Sequence, residues 1–258
     1  MVRTVSLAGE MDHVGRNQKK IPYLPKRRNI LFVSTLEPRK NHKHFLKAFC
    51  QLMEQQPQLM KQISLTMVGN RYAGNDEISK FVTAICKKYS NIKWLGVVED
   101  TVLRRLYQEC TFTVYPSQIE GYGMPIMESL WFGKPCLCSG QGSIGELGEP
   151  GGCCLTDVCD IEAMKHSLFR MLTDEAYLIH LQHEAVKREI VTWDHYADGI
   201  LEVFSKTAGK NLECHPAYFS IGMQEQIKAY LEEMDTDQCI ILCSNYYPPR
   251  FVGGAELI

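Results

Sequence analysis

Neither sign of charge is in surplus in this sequence. Lysine and arginine number 28 against 30 aspartate and glutamate, a formal net charge of -2 at pH 7. No overall basic field exists to hold a nucleic acid by counterion release, so no nucleic-acid partner is expected. Any phosphate chemistry must come from a local cluster. Long apolar runs are missing too. No stretch approaches the roughly 18 to 20 apolar residues of a membrane span. The opening MVRTVSLAGEMDHVG lacks the apolar core of a signal peptide. A cytoplasmic location is expected, with peripheral contact at the inner face of a membrane left open. There is no CxxC pair for zinc and no disulfide framework. Among 11 cysteines, Cys50, Cys86, Cys110, Cys136, Cys138, Cys239 and Cys243 fall inside apolar runs, while Cys153 and Cys154 are neighbours. Reduced, mostly buried thiols are expected.

What is present is ordinary for a globular protein. Hydrophobic residues make up 45% and charged residues 22% of 258 residues, which excludes a disordered tail, a collagen-like rod and a heptad rod. The length suffices for one large domain or two small ones.

Residues 1-28 are polar and are expected to be an extended lead-in. From there, strand and helix patterns alternate. Short apolar runs at 30-34, 63-68, 92-95, 112-115, 135-139 and, more weakly, 151-155 predict strands. Helices are predicted over 45-53, 78-89, from a capping Asp100 through Tyr107, and over 125-132, 160-172, 174-190 and 193-204. This alternation predicts a Rossmann-like parallel sheet with helices on both faces. Such sheets bind ligands beyond the C-terminal ends of their strands, so the turns at 35-41, 69-76, 96-101, 116-124 and 139-146 matter most. The domain built on this sheet is expected to span 29-205. Residues 206-237 suggest a linker with a polar helix at 224-233. Residues 238-258 bring a new buried-strand pattern and a Gly/Pro loop, so the chain is expected to stop at the start of a further, truncated domain.

Two turns carry chemistry. Glu120-Gly-Tyr-Gly-Met-Pro-Ile-Met-Glu128 follows the strand at 112-115 and opens a helix. Gly121 and Gly123 allow close backbone approach, and Pro125 suits a first helical turn whose free N–H groups can face an anion. Glu120 in the loop and Glu128 about one turn into the helix suit the hydroxyls of a sugar and a ribose, with phosphate between. Ser34-Thr-Leu-Glu-Pro-Arg-Lys-Asn41 follows the first strand of the sheet. Its Arg39 and Lys40 could reach a diphosphate and neutralise charge developing on a leaving group. No Asp-x-Asp follows a predicted strand, and no metal is expected. His180 and His183, on one predicted helix, lack further ligands nearby and suggest a surface pair. His166 and His195 suggest structural roles.

The stretches Phe32-Val-Ser-Thr-Leu-Glu-Pro-Arg-Lys-Asn-His42, Tyr115 to Ser129, Gly133-Lys-Pro-Cys136 and Ser139 to Glu146 resemble glycosyltransferase family 4. These are retaining, metal-independent enzymes of two Rossmann-like domains facing a cleft, the GT-B architecture. The resemblance covers roughly residues 29-205, the C-terminal, donor-binding half. It implies that Arg39 and Lys40 hold the donor diphosphate, Glu120 the transferred sugar and Glu128 the ribose. Arg39, Lys40 and Glu120 are therefore the candidates for catalysis. Val97 and Val98 would lie along the base, and the amides of Gly121, Tyr122, Gly123 and Met124 near phosphate and sugar. Many members carry a further Arg about five residues before the lysine. Here that position is Thr35, which puts the weight of the clamp on Lys40.

The run Ile240 to Glu256 resembles the opening strand and glycine loop of the family's acceptor-side domain, which implies tandem modules. Gly140-Gln-Gly-Ser-Ile-Gly145 matches a dinucleotide fingerprint, but it comes late in the sheet. The resemblance makes it a small-residue turn before Glu146, packed near the donor. The expected function is the donor-binding half of a retaining hexosyltransferase. A nucleotide sugar is its donor, with GDP-mannose mildly preferred, and a glycan or lipid-linked molecule its acceptor. The alternatives are a non-catalytic nucleotide-sugar binding or scaffold module and, more weakly, a phosphorylase. The chain alone is expected to be inactive as a transferase.

Overall fold

The computed structural model describes residues 5–11, 16, 26–73 and 76–207. The expected helix at 224–233, the linker and the strand and loop at 238–258 lie outside the described residues. The described residues fall into two compact units, one within residues 9–191 and one of residues 5–8 and 192–207. In the second, a helix runs over Trp193–Thr207, and the rings of Trp193 and Tyr196 meet edge to face at 6.1 Å.

The first unit is a parallel sheet of six strands. They are β1 (Arg28–Val33), β2 (Ile63–Val68), β3 (Ile92–Trp94), β4 (Phe112–Tyr115), β5 (Cys136–Ser139) and β6 (Cys153–Thr156), in the order β3-β2-β1-β4-β5-β6. Strands β4 and β5 are buried at every position. That is why their sequences are mostly apolar and carry no charged residue: both faces are covered. The helices are α1 (His42–Gln55), α2 (Pro57–Met60), α3 (Asp76–Lys88), α4 (Asp100–Glu109), α5 (Met124–Trp131), α6 (Gly142–Gly148), α7 (Ile161–Thr173) and α8 (Glu175–Lys187). Phe45, Leu46, Phe49 and Leu52 form the buried stripe of α1. Phe32 of β1 meets Phe45 edge to face at 5.6 Å. Each such buried ring contributes about 1.5 to 3 kcal/mol, so the base of the turn after β1 rests on a rigid support.

Four local expectations change. Strand β1 begins at Arg28, not Ile30. Its guanidinium is buried and donates to the last carbonyls of α7, at Met171 and Leu172, and to Glu175 at 2.9 Å. A charged residue closing a helix C-terminus hides a strand from an apolar-run reading. Asp100 is the first residue of α4 rather than its cap; the cap position is Glu99, and no side chain bonds there. Asp160 and Asp174 do cap, accepting the N–H groups of Glu162 and Tyr177 at 2.8 and 2.9 Å. Helix α6, residues 142–148, takes up most of the turn expected at 139–146. Gly145 allows this, because a Cβ there would lie 2.6 Å from the carbonyl oxygen of Gly140. Finally, the short helix α2 was not expected.

Strand order decides where a ligand can sit. From β1 the chain moves outward through β2 and β3, then returns to place β4 on the other flank of β1. The turns after β1 and β4 therefore leave neighbouring strands in opposite directions. This is the switch point of a doubly wound sheet, the place beyond the strand ends where such sheets bind ligands. Gly69, at the end of β2, lets the floor close. Its φ is +141°, and a Cβ there would lie 1.9 Å from the carbonyl oxygen of Ser34.

Candidate functional site

Arg39 and Lys40 stand on a 3-10 turn over Pro38–Lys40 that follows β1. Asn41 ends the turn in the left-handed region, at φ 63°, which asparagine tolerates better than most residues. Its side-chain amide donates to the carbonyl of Val158 at 2.7 Å, fixing the turn to the loop after β6. The β4–α5 loop is stitched to the same turn. The carbonyl of Arg39 accepts the Gln118 N–H at 2.9 Å and the Ser117 hydroxyl at 3.1 Å.

These two loops bring Arg39, Lys40 and Glu120 into direct contact. Lys40 Nζ donates to Glu120 Oε1 at 2.5 Å and to the Tyr115 hydroxyl at 2.7 Å. Arg39 Nη1 pairs with Glu120 Oε2 at 2.7 Å. Ser117 and Tyr115 donate their hydroxyls to Glu120 Oε1 at 2.6 and 2.9 Å. Behind Arg39, Glu37 is also engaged. Its Oε2 accepts Arg39 Nε at 2.8 Å and its Oε1 accepts the Thr35 hydroxyl at 2.7 Å. The backbone carbonyl of Glu120 accepts the Ser143 hydroxyl at 2.6 Å, so the start of α6 holds this loop.

Burial alone would raise the Glu120 carboxyl, but hydrogen bonds from Lys40, Ser117 and Arg39 outweigh it and hold the acid below its usual range. For Lys40 burial dominates and pushes the ammonium down, against the pull of Glu120. Burial also lowers Arg39, yet Glu120 and Glu37 more than offset it. Three donors, from Lys40, Ser117 and Tyr115, converge on one Glu120 oxygen and favour its carboxylate form.

Glu128 lies one turn into α5, whose start is set by Gly123 at φ 112° with Pro125 in the first turn. No side chain caps that start. Glu128 does not touch Glu120; its Oε2 accepts the Tyr107 hydroxyl of α4 at 2.6 Å. Burial raises its carboxyl above the usual range, with the Tyr107 bond pulling the other way. Gly121 is exposed, and Tyr122 and Met124 are half-buried beside it. Val97 and Val98 stand beyond β3, on the turn opened by Gly96 at φ 69°. Val97 is 72% exposed, while Val98 packs against the cluster that holds Tyr107. Thr35 turns to Glu37 rather than to Arg39 or Lys40. Among the described residues no group of three or more His, Cys, Asp or Glu could hold a metal ion. His180 pairs with Glu184 on the surface of α8 at 3.2 Å.

Residues 15–189 match the family of glycosyl transferases group 1. The chain belongs to that family. The O-antigen chain mannosyltransferase B of Escherichia coli is 30% identical over 180 residues, which cover 67% of this chain and 46% of that protein. The serotype-specific mannosyltransferase WbdA of the same species is 25% identical over 179 residues, 69% of this chain and 22% of that one. The chain thus spans less than half the length of either curated relative. Among solved structures, Anabaena Alr3699/HepE in complex with UDP and glucose superimposes with a TM-score of 0.61 at 20% identity, over 70% of this chain and 49% of that one. Sucrose-phosphate synthase of Thermosynechococcus elongatus gives 0.58 at 20% identity, over 71% and 46%. These likenesses show the fold, a GT-B type sheet.

In this group 1 transferase chain, sequence reasoning missed Glu37, Tyr115, Ser117, Ser143 and Tyr107 as partners of the candidate residues. Tyr115 and Ser117 flank Pro116 at a strand end, a visible signal. Tyr107 sits on the apolar stripe of α4 and carries none. No helix among the described residues is long and apolar enough to cross a membrane.

Proposed function

We propose that residues 28–191 bind the nucleotide sugar of a retaining glycosyltransferase, with mannose from GDP-mannose as the preferred donor. The single observation that carries this reading is the convergence of Lys40, Arg39 and Glu120 at the switch point, beside the uncapped start of α5. Two cations held at one place suit a diphosphate. As the bond from the anomeric carbon to the phosphate oxygen breaks, charge grows on that oxygen, and Lys40 and Arg39 would stabilise it. The α5 N–H groups add a positive pole. Glu120 would then face the sugar hydroxyls, and Glu128, one turn on, the ribose. The base would lie along Val97 and Val98. The mannose preference is supported by the curated mannosyltransferase relatives. The acceptor, a glycan or lipid-linked molecule, is part of the same proposal, as are a cytoplasmic setting and peripheral membrane contact.

No metal has a role in this reading, because the two side-chain cations take the place a divalent ion would fill. Calorimetry against a panel of nucleotide sugars tests it. One member of the panel, expected to be GDP-mannose, should bind with the same affinity with and without chelator. A strict Mg²⁺ or Mn²⁺ requirement, or no binding across the panel, would sink the proposal.

A further inference from the structure

We propose that Glu37 is a positioning residue for diphosphate binding, acting through Arg39; the inference rests on the donor reading above. Both oxygens of Glu37 are committed. Oε2 accepts Arg39 Nε at 2.8 Å, and Oε1 accepts the Thr35 hydroxyl at 2.7 Å. The residue is 7% exposed, although it lies on a turn and carries a charge. A carboxylate is buried at such a place when it is paired on both sides.

The consequence is geometric. Arginine has five N–H donors in a rigid plane. Holding Nε from behind orients that plane and leaves Nη1 directed at Glu120, 2.7 Å away. Nη1 also reaches the carbonyl of Ile119 at 3.3 Å. Glu37 thus splints a long, flexible side chain against the turn that bears it. When an anion replaces Glu120 on Arg39, Glu37 keeps the guanidinium in place, and less conformational freedom is lost on binding.

This assignment predicts a sign that simple charge counting reverses. Glu37 is an acid beside an anion site. If it acted only as a charge, its removal would tighten anion binding. If it positions Arg39, its removal weakens binding. The probe is inorganic pyrophosphate, titrated by calorimetry into the full chain. Glu37→Gln is close in shape and keeps an acceptor for one partner, and a thermal melt reports its fold. Glu37→Asp is the second variant; it keeps the charge but shortens the arm.

Both variants should bind pyrophosphate about ten-fold more weakly than wild type, about 1.4 kcal/mol. In an Arg39→Ala background, Glu37→Gln should cause no further weakening, or should tighten binding, because only its charge is then left to act. A merely structural role would weaken binding equally in both backgrounds, and that result overturns the inference. So does unchanged or tighter binding by Glu37→Gln alone, with the donor reading intact. No pyrophosphate binding by the wild type overturns the diphosphate assignment itself, and the inference with it.

Discussion

Replacing Glu120 by alanine separates the roles of its two neighbours most sharply. In the free protein this carboxylate occupies both cations, Lys40 at 2.5 Å and Arg39 at 2.7 Å. Lys40, Arg39, Glu37 and Glu120 together sum to zero charge. A bound diphosphate must therefore compete with Glu120 for these cations. Removing one partner of a buried pair costs about 3 to 5 kcal/mol. Here each side chain of the Lys40–Glu120 pair keeps 10% of its surface exposed, and water can refill the space, so about 2 to 3 kcal/mol is expected. At about 2 to 4 °C per kcal/mol for a chain of this size, the melting midpoint should fall by roughly 4 to 12 °C. The released cations should then bind GDP more tightly, by about ten-fold, since no carboxylate competes. GDP-mannose loses the same competitor but also its proposed contact with Glu120, a hydrogen bond to a charged group worth about 1.5 to 3 kcal/mol. The preference for GDP-mannose over GDP should shrink by ten-fold or more. Calorimetry with both ligands and a thermal melt read all three quantities. If Glu120→Ala weakened GDP as much as GDP-mannose, the sugar assignment would be wrong. If the melting midpoint did not move, the ion pair would not exist in solution.

Other perturbations reach the remaining parts. Lys40→Ala should weaken GDP by roughly 1.5 to 3 kcal/mol and leave guanosine unaffected, as read by titration; equal loss for guanosine would refute the diphosphate role. Glu128→Gln should weaken guanosine as well as GDP, because its proposed partner is the ribose. The same change should not lower stability at pH 7. Burial raises the Glu128 carboxyl, so its contribution is present at low pH and is lost as pH rises through that raised value, whereas the amide still accepts the Tyr107 hydroxyl. A drop in the melting midpoint at pH 7 would contradict this. His42 stacks on Phe32 at 4.3 Å, and burial pushes its imidazole down to about 3 from 6.5. Between those values the unfolded chain binds the extra proton, so stability should fall with falling pH by up to about 1.4 kcal/mol per unit. Denaturant titrations at pH 7, 6 and 5 should show a slope that His42→Phe abolishes.

The sheet was legible because its central strands are largely buried, β4 and β5 at every position. Such positions are dominated by apolar residues, with only small polar ones such as Thr113 among them, so β2 and β4 appear in the sequence at their true bounds. Arg28 broke the pattern, since its charge is neutralised by the end of a helix more than 140 residues away. Helix α6 was lost for a related reason. Its glycines look like a turn until the close approach of Gly140 and Gly145 is known. Local chemistry cannot report a contact whose other half is remote.

The candidate site divides along the same line. Residue types at strand ends pointed to Arg39, Lys40, Glu120 and Glu128, because a parallel sheet aims its turns at one edge. Their relation to one another did not follow. The Lys40–Glu120 contact bridges 80 residues, and it exists because β4 returns to the flank of β1. From the sequence the cations looked free for an anion and the acid free for a sugar. In the fold, unlike charges gathered at one edge satisfy each other first. Glu37 is the extreme case. Two residues from Arg39, it carried no signal of its own in the sequence. Only its burial, with both oxygens engaged, separates a splint from a surface charge, and burial at a turn depends on what the rest of the sheet places beside it.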